Sequence, residues 1–497
     1  MAEEKRIQWN SNFGFLMAMI GSAVGLGNIW RFPYVLYSNG FGTFMIPYVV
    51  AVLLLGFSFL LVEYSVGYKF KTSFLKVLET INKKFKPFAW FVCLIIFFIV
   101  CYYTVIVGWD LIYVVLSLFK GWGAHPDSFL VNNVLQSTSS FSGILTIVPA
   151  VFVSSLVVWF LVWFISHKGV NDGISNFSKF AVPTLFVLVI LIVLFSLSLD
   201  GASYGYSKMF APDWDALGNL DIWLAAFGQI IFSLSLGMAI VLTYASYLPE
   251  NSNLVKNAVI VMCSNSGFEV FNAVGVFSIL GFMTVSTGVP FNSLITEGTG
   301  LAFVAYPQVF NVMGSVSYII GPIFFACIFI AGLTSAIALI EPLADSLRTA
   351  LKIPRKKAVN TIIIIGFFVM MLFTTSAGSS ILTVFDRFLN NFALLFAIII
   401  ECITYGWLYK IDDLIDVLNK NTSFRIGSWW KYVIKYLLPI ILSVLWINGV
   451  IDTIKYSDFM SLAIELILMI VLIVVPFILS YVENKRNNIP ETLDNLL

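Results

Sequence analysis

Apolar positions along the chain form long unbroken runs, without the alternating or three-to-four-residue stripes of a soluble fold. Runs of about twenty residues or more, enough to cross a bilayer as helix, occupy 13–37, 42–68, 88–118, 143–166, 176–199, 222–247, 255–285, 316–347, 358–376, 380–408, 432–450 and 460–482. The pattern predicts an all-α integral membrane protein with twelve spans and no soluble domain. A transmembrane barrel is excluded, since it would need short alternating segments separated by turns.

Two runs are interrupted by polar and small residues. In span 1, Gly21 to Pro33 reads GSAVGLGNIWRFP. In span 6, Phe232 to Met238 brings Ser233, Ser235 and Gly237 to mid-membrane depth. Hydrocarbon offers no water to freed N–H and C=O groups, so such breaks survive only where protein, ligand or ion satisfies them. Five crossings separate the two spans, so they run in opposite directions. This predicts a 5+5 inverted repeat, residues 1–200 and 201–410, followed by 411–497 with spans 11 and 12 and a short polar tail from Asn484. Paired broken segments of this kind point to a transporter's central site, a rule drawn in part from the family named below.

Charge sets the expected topology. Lys5 and Arg6 precede span 1, six lysines (Lys69, Lys71, Lys76, Lys83, Lys84, Lys86) lie between spans 2 and 3, and Arg348, Lys352, Arg355, Lys356 and Lys357 follow span 8. Of the alternate links, 119–142 holds only Lys120, 286–315 none and 451–459 only Lys455. The positive-inside rule then places both termini in the cytoplasm of a multi-pass cell-membrane protein. Residues 1–6 are too short and charged for a cleavable signal, so span 1 should direct insertion. Only 11% of residues are charged, against roughly a quarter in soluble domains. The net charge of +1 argues against a nucleic-acid partner. The five cysteines, Cys93, Cys101, Cys263, Cys327 and Cys402, sit in apolar runs without metal-ligand spacing and are expected to pack as free thiols. Residues 286–315 are expected to form a partly helical outer cap, and 120–142 an ordinary exposed loop.

Polar residues within the spans carry the candidate chemistry. Asn28, Ser233, Asn265, Thr334 and Ser335 can join unwound carbonyls in holding a hard cation such as sodium. Taken singly, each is better explained as interhelical hydrogen-bond glue; their convergence on two breaks reverses that preference. Arg31 and Asp386 lie toward the outer ends of spans 1 and 10, and Glu63, Glu269 and Glu401 are further carboxylates inside apolar runs. Each must be paired, hydrogen-bonded or protonated.

The runs GSAVGLGNIWRFPY, NGFGTFMIPY (39–48), YYTVIVGW (102–109), GQIIFSLSLG (228–237), TYASY (243–247) and AGLTSAIA (331–338) together resemble the neurotransmitter:sodium symporter family, in its prokaryotic amino-acid-transporter branch. The resemblance covers spans 1 to 10 and implies the leucine-transporter fold. It implies two sodium sites. One would use the carbonyls of Gly21, Val24 and Ala331 with the hydroxyls of Thr334 and Ser335. The other would use the Ala23 carbonyl, Asn28, Ser233, Asn265 and the substrate's own carboxylate.

By the same resemblance, that carboxylate would meet the amides of Leu26 and Gly27 at a half-helix N-terminus and the Tyr103 hydroxyl. The ammonium would meet Ala23, Phe232 and Ser235, while Ile99, Tyr103, Phe232, Met238, Ser335 and Leu339 surround the side chain. Met238 stands where several relatives have Phe, which favours a large hydrophobic or aromatic substrate. Arg31 and Asp386 would gate the outer side above Tyr103 and Phe232. Arg6 and Trp9 match the inner gate, and Ser246 and Tyr247 its support. The family's acidic gate partner is Thr349 here, which leaves Asp345, one turn earlier, as its substitute. Tyr48, Gln229 and Ser233 match ligands of the chloride site in chloride-dependent relatives, but its fourth position is Glu269, whose carboxylate would replace the anion. Glu63 resembles the carboxylate that supports the span 6 break, with Glu401 near it and a proton shared between them.

The expected function is sodium-coupled, chloride-independent import of an amino acid by alternating access, in a lipid bilayer and compatible with a homodimer. The alternative classes are a membrane amino-acid sensor and a membrane-embedded enzyme. No nucleophile–base pair, P-loop or metal cluster supports the enzyme.

Overall fold

The computed structural model describes residues 6–138, 141–291, 294 and 298–487. Met1–Lys5 and the tail beyond 487 lie outside the described residues, as does part of 286–315. Fifteen helices matter for the site: α1 Asn12–Ala23, α2 Gly27–Ser38, α3 Gly42–Phe70, α4 Lys83–Ser117, α5 Pro149–Lys168, α6 Val170–Leu197, α7 Leu220–Ser233, α8 Ile240–Ser246, α9 Leu254–Thr287, α10 Leu301–Val312, α11 Gly314–Leu351, α12 Arg355–Leu372, α13 Gly378–Leu408, α14 Trp429–Lys455 and α15 Phe459–Lys485. Among the described residues nine of these are long and apolar enough to cross a membrane, and α1 with α2 passes the same test as a pair bent by 55° at the break.

The predicted spans land on these helices with end shifts of a few residues. Span 6 divides between α7 and α8. Span 9 is α12, whose first turn carries Arg355, Lys356 and Lys357. The first break is narrower than Gly21 to Pro33: α1 continues to Ala23 and α2 begins at Gly27, because glycines supported by neighbouring helices do not by themselves unwind a turn. The link 120–142 also departs from an ordinary loop. Pro126–Phe129 and Leu130–Val134 are helical. Trp122 is buried against Tyr113, with Nε1 donating to Asn311 Oδ1 of α10 at 3.0 Å. An aromatic ring with a polar handle has paid its desolvation by packing under the cap. Cys263 is exposed, whereas the other four cysteines are buried.

Local sequence sets the helix ends. Ser11 Oγ accepts from Gly14 N–H at 3.1 Å and starts α1, and Asn253 Oδ1 accepts from Lys256 N–H at 2.9 Å before α9. Gly288, with φ 72°, closes α9 in the left-handed conformation that glycine takes without strain. At the centre of the bundle α11 packs along α4, with Phe325 against Tyr113 at 5.2 Å between rings. α1, α6 and α9 pack on the same core. Peripheral α15 is tied to α4 by Lys86 and Glu483 at 2.9 Å and to α13 by Arg387 and Glu465 at 2.7 Å.

Candidate functional site

Both helix breaks meet at the middle of the bundle. At the end of α1, Val24 N–H still reaches Ile20 O at 2.7 Å, but Asn28 N–H turns to Gly25 O at 3.2 Å, which releases the Val24 carbonyl. Between α7 and α8 the chain passes through left-handed residues Ser235, Gly237 and Ala239. A Cβ on Gly237 would lie 2.3 Å from Ile398, so only glycine fits. Ser235 Oγ then donates to Ser22 O at 3.0 Å and joins the two breaks.

A first oxygen cluster lies between α1 and α11. Ser335 Oγ is 3.4 Å from Gly21 O and 3.2 Å from Ala331 O, and Thr334 Oγ1 is 2.9 Å from Ala331 O. These are four of the five residues that the resemblance assigns to one sodium, and Val24 follows on the same unwinding turn. Neutral oxygens of this kind suit a small hard cation.

The second cluster holds Asn28, Ser233 and Asn265, all buried. Gly25 N–H donates to Asn28 Oδ1 at 2.9 Å, so Asn28 Nδ2 faces Asn265 and donates to its Oδ1 at 2.8 Å. That same Oδ1 position lies 3.1 Å from Ser233 O and 3.3 Å from Ala23 O, while Ser233 Oγ is 3.0 Å from the other amide atom. The carbonyls of Ala23 and Ser233 and the Ser233 hydroxyl thus converge on the Asn265 amide, beside Asn28. Neutral oxygens gathered in this way suit a small hard cation. The donor set therefore fits sodium.

Beside this cluster, Leu26 N–H faces Tyr103 Oη at 3.4 Å. No side chain comes within 4 Å of where a Gly27 Cβ would stand, so there is open space beside the first turn of α2, the helix end that favours an anion. Gly25 is different: a Cβ there would be 2.7 Å from Ser335 Oγ and 3.2 Å from Tyr103 Oη. Ile99 and Tyr103 share one face of α4, and Ser335 and Leu339 one face of α11. Ile99, Met238 and Leu339 are buried.

Toward the far end of the bundle, the Arg31 guanidinium sits 4.2 Å over the Phe232 ring and donates to Gln229 Oε1 at 3.3 Å. Asp386 accepts from Tyr102 Oη and Asn390 Nδ2, each at 2.7 Å. A cavity of about 390 Å³ opens above, lined by Arg31, Phe232 and Asp452 among others. Glu269 is wholly buried: Tyr48 Oη donates to its Oε2, and Gln229 Nε2 to its Oε1 at 2.7 Å. Glu63 and Glu401 are also wholly buried and near one another. The Glu401 carboxyl completes no hydrogen bond among the described residues, whereas Glu63 faces the backbone amide of Gly237 in the second break.

At the end where α1 begins, Arg6 grips Asp345 through Nη1–Oδ1 at 3.0 Å and Nη2–Oδ2 at 2.6 Å, and Nη2 also donates to Ser246 Oγ at 2.6 Å. The guanidinium lies 4.8 Å from the Tyr247 ring, and Trp9 Nε1 donates to Tyr244 O at 2.8 Å. Thr349 only donates to the Asp345 carbonyl, at 2.7 Å.

Several residues of these networks went unread in the sequence. Asn272 Nδ2 donates to Asn28 O at 3.2 Å and Ile29 O at 3.0 Å, holding α2 at its start. Its signal was present, because 265, 269 and 272 form one polar stripe on an otherwise apolar helix. Glu341 accepts from Tyr247 Oη at 2.9 Å and pairs with Arg355. It falls four residues before Asp345, on the same helix face. Asp110, wholly buried with both oxygens unpartnered among the described residues, was hidden in an apolar run.

A helical membrane protein whose two broken helices cross at clusters of neutral oxygens is built as an ion-coupled carrier. The sequence profile of the sodium:neurotransmitter symporter family matches residues 6–128 and 123–486, and the chain belongs to that family. It is 38% identical over 443 residues, 89% of this chain and 90% of the relative, to a sodium-dependent transporter of Methanocaldococcus jannaschii. It is 28% identical to the human sodium- and chloride-dependent creatine transporter 1, over 91% of this chain and 78% of that one. Identity to the Drosophila melanogaster sodium-dependent serotonin transporter is also 28%, over 90% and 77%. These relatives are transporters, not enzymes.

Proposed function

We propose that the protein is a secondary symporter that couples inward movement of sodium to import of an amino acid, with a large hydrophobic or aromatic side chain preferred and no need of chloride. One observation carries this reading: the buried oxygens of Asn28, Ser233 and Asn265 and the Ala23 carbonyl converge beside the open space at Gly27, where α2 begins. A cation in the first and a carboxylate against the second attract each other directly, so each raises the other's affinity, which is what symport requires. The Gly21, Val24, Ala331, Thr334 and Ser335 cluster supplies a second sodium site.

The layout proposed with it has twelve spans in two inverted repeats, 1–200 and 201–410, with α14 and α15 added in 411–497 and both termini cytoplasmic. Arg6, Trp9, Tyr247 and Asp345 then close the inner side, and Arg31, Phe232 and Asp386 narrow the outer. Reversible breakage of the first set and closure of the second is the alternating-access cycle. The free amino acid is favoured over amines because a helix N-terminus and a sodium ion both select the carboxylate.

Uptake into proteoliposomes with and without an inward sodium gradient tests the coupling. Sodium-independent uptake, or none with any amino acid, would overturn it. A panel of unlabelled competitors tests the side-chain preference, which fails if glycine or alanine competes best.

A further inference from the structure

Away from the central site, α5 and α12 run antiparallel and leave a groove on the outside of the bundle. Trp159 Nε1 donates to Ile363 O at 2.9 Å and Trp163 Nε1 to Asn360 Oδ1 at 2.9 Å, which fixes their register and seals the floor. An indole nitrogen is only a donor, so the Asn360 atom is an acceptor and His167 Nδ1, 3.0 Å from it, carries the hydrogen. The cavity is about 390 Å³, walled by Leu156, Phe160, Ile364, Phe367 and Phe368 above the two tryptophans. Phe160, Ile364 and Phe368 are exposed. The walls carry no charge, and α5 is one of the membrane-crossing helices, so the bilayer or another protein must cover them.

One end of the groove is strongly basic. Lys168 Nζ folds back to 4.0 Å from the Phe164 ring, and Lys356 and Lys357 occupy the first turn of α12, where no acid is present and Pro354 offers no capping side chain. Cations in a first turn oppose the helix dipole, so the fold tolerates positive charge at this spot that α12 gains nothing from internally. From Lys357 to Ile363 is about 9 Å along the helix, close to the roughly 5–8 Å of headgroup and ester layer on one side of a bilayer.

We infer that this groove is a binding site for an anionic phospholipid, with an acyl chain along Trp159, Trp163 and Phe368 and the phosphate at Lys168, Lys356 and Lys357. A second copy of the chain suits the groove less well. A membrane dimer has its twofold along the membrane normal, so each copy's lysines would meet the partner's at one level, and like charges would face each other.

Purified full-length protein in neutral detergent, titrated with phosphatidylglycerol, phosphatidylcholine or inorganic phosphate, tests the inference by native mass spectrometry and thermal unfolding. Phosphatidylglycerol should bind and stabilise at much lower concentration than phosphatidylcholine. In Lys168→Gln/Lys356→Gln/Lys357→Gln that preference should fall by about five-fold per lysine, following the affinity of a basic side chain near an anionic surface. Ile364→Trp, which fills the groove, should weaken both lipids alike. Equal binding of the two lipids by wild type, an undiminished preference in the lysine variant, or stabilisation by inorganic phosphate equal to that by phosphatidylglycerol would each overturn the site. So would an Ile364→Trp protein that binds lipid normally but shifts between dimer and monomer.

Discussion

Arg6 and Asp345 share two hydrogen bonds, at 3.0 and 2.6 Å, across the end of the bundle where α1 begins. Arg348 Nη2 reaches the same carboxylate at 3.2 Å. The two halves of the pair are therefore unequal. Removing Arg6 leaves Asp345 with a second cation, whereas removing Asp345 leaves two guanidinium groups facing each other. Asp345→Ala is expected to open this face more than Arg6→Ala, by roughly 1–3 kcal/mol after allowance for the partial exposure of Arg6. Labelling of a cysteine placed beneath the gate reads the open population. Equal labelling in the two variants, or an Asp345→Ala protein as closed as wild type, would refute the asymmetry.

Asp345 was legible only in part. That Arg6 needs an acid followed from the motif around it, and Thr349 could not serve; the choice of Asp345 rested on one helical turn of spacing. The apolar runs displayed the membrane helices because hydrocarbon tolerates few alternatives. The breaks were visible because glycine, serine and asparagine cluster inside otherwise apolar runs, where they weaken a helix and bring in polar groups. Less visible were features that depend on partners far apart in sequence. The oxygens gathered at Asn265 depend on where the Ala23 and Ser233 carbonyls fall, and carbonyls have no sequence signature. Trp122 and the helical 126–134 were read as loop because their burial comes from α10 and α11.

Thr334→Ala with Ser335→Ala should abolish sodium-dependent uptake while the protein stays folded. Both hydroxyls already bond to carbonyls of their own helix, so their structural loss is small, about 1 kcal/mol or less. As cation ligands they would be two oxygens of about five. Unfolding midpoints and uptake measured on the same preparation separate these roles. Near-normal transport by the double variant would leave the hydroxyls as interhelical glue.

Gly25 predicts the substrate's charge pattern. By the family resemblance, this is the position at which a monoamine carrier would place an Asp to meet the ammonium. Here even a Cβ would crowd Ser335 Oγ at 2.7 Å. Tyramine and tryptamine should therefore compete at least ten-fold less well than tyrosine and tryptophan for labelled amino-acid uptake. Equal competition by an amine and its parent amino acid would contradict this.

Lys71 gives a pH dependence outside the membrane. Burial lowers its ammonium to about 8, with Glu250 opposing and Arg6 adding to the effect, and its Nζ donates to the Leu248 carbonyl at the end of α8. The unfolded chain holds the proton up to about 10.5, so between about 8 and 10.5 the unfolded state binds more protons and stability rises with pH. Partial exposure keeps the gain to at most 1–2 kcal/mol, roughly. Thermal unfolding in a fixed detergent should show a rise from pH 7.5 to 9.5 that Lys71→Met removes. An unchanged slope in that variant would assign the rise to other groups.

Transport should require sodium but not chloride. Glu269 stands four residues after Asn265 on one face of α9, and Tyr48 and Gln229 both donate to its carboxylate. These two groups would otherwise coordinate an anion: the Gln229 amide donates to one oxygen, and the Tyr48 hydroxyl, which can give or accept a hydrogen, meets the other. Sodium at the adjacent Asn28, Ser233 and Asn265 cluster would compensate its charge, whereas a neutral Glu269 would have to donate a hydrogen to one of these groups. A serine in its place removes the fixed charge and leaves the Tyr48 and Gln229 donors for a mobile anion. Wild-type uptake should therefore be equal in chloride and gluconate, while Glu269→Ser should fall at least ten-fold in gluconate and recover with added chloride. Chloride dependence in wild type would overturn the assignment, and so would a Glu269→Ser protein that transports normally without chloride.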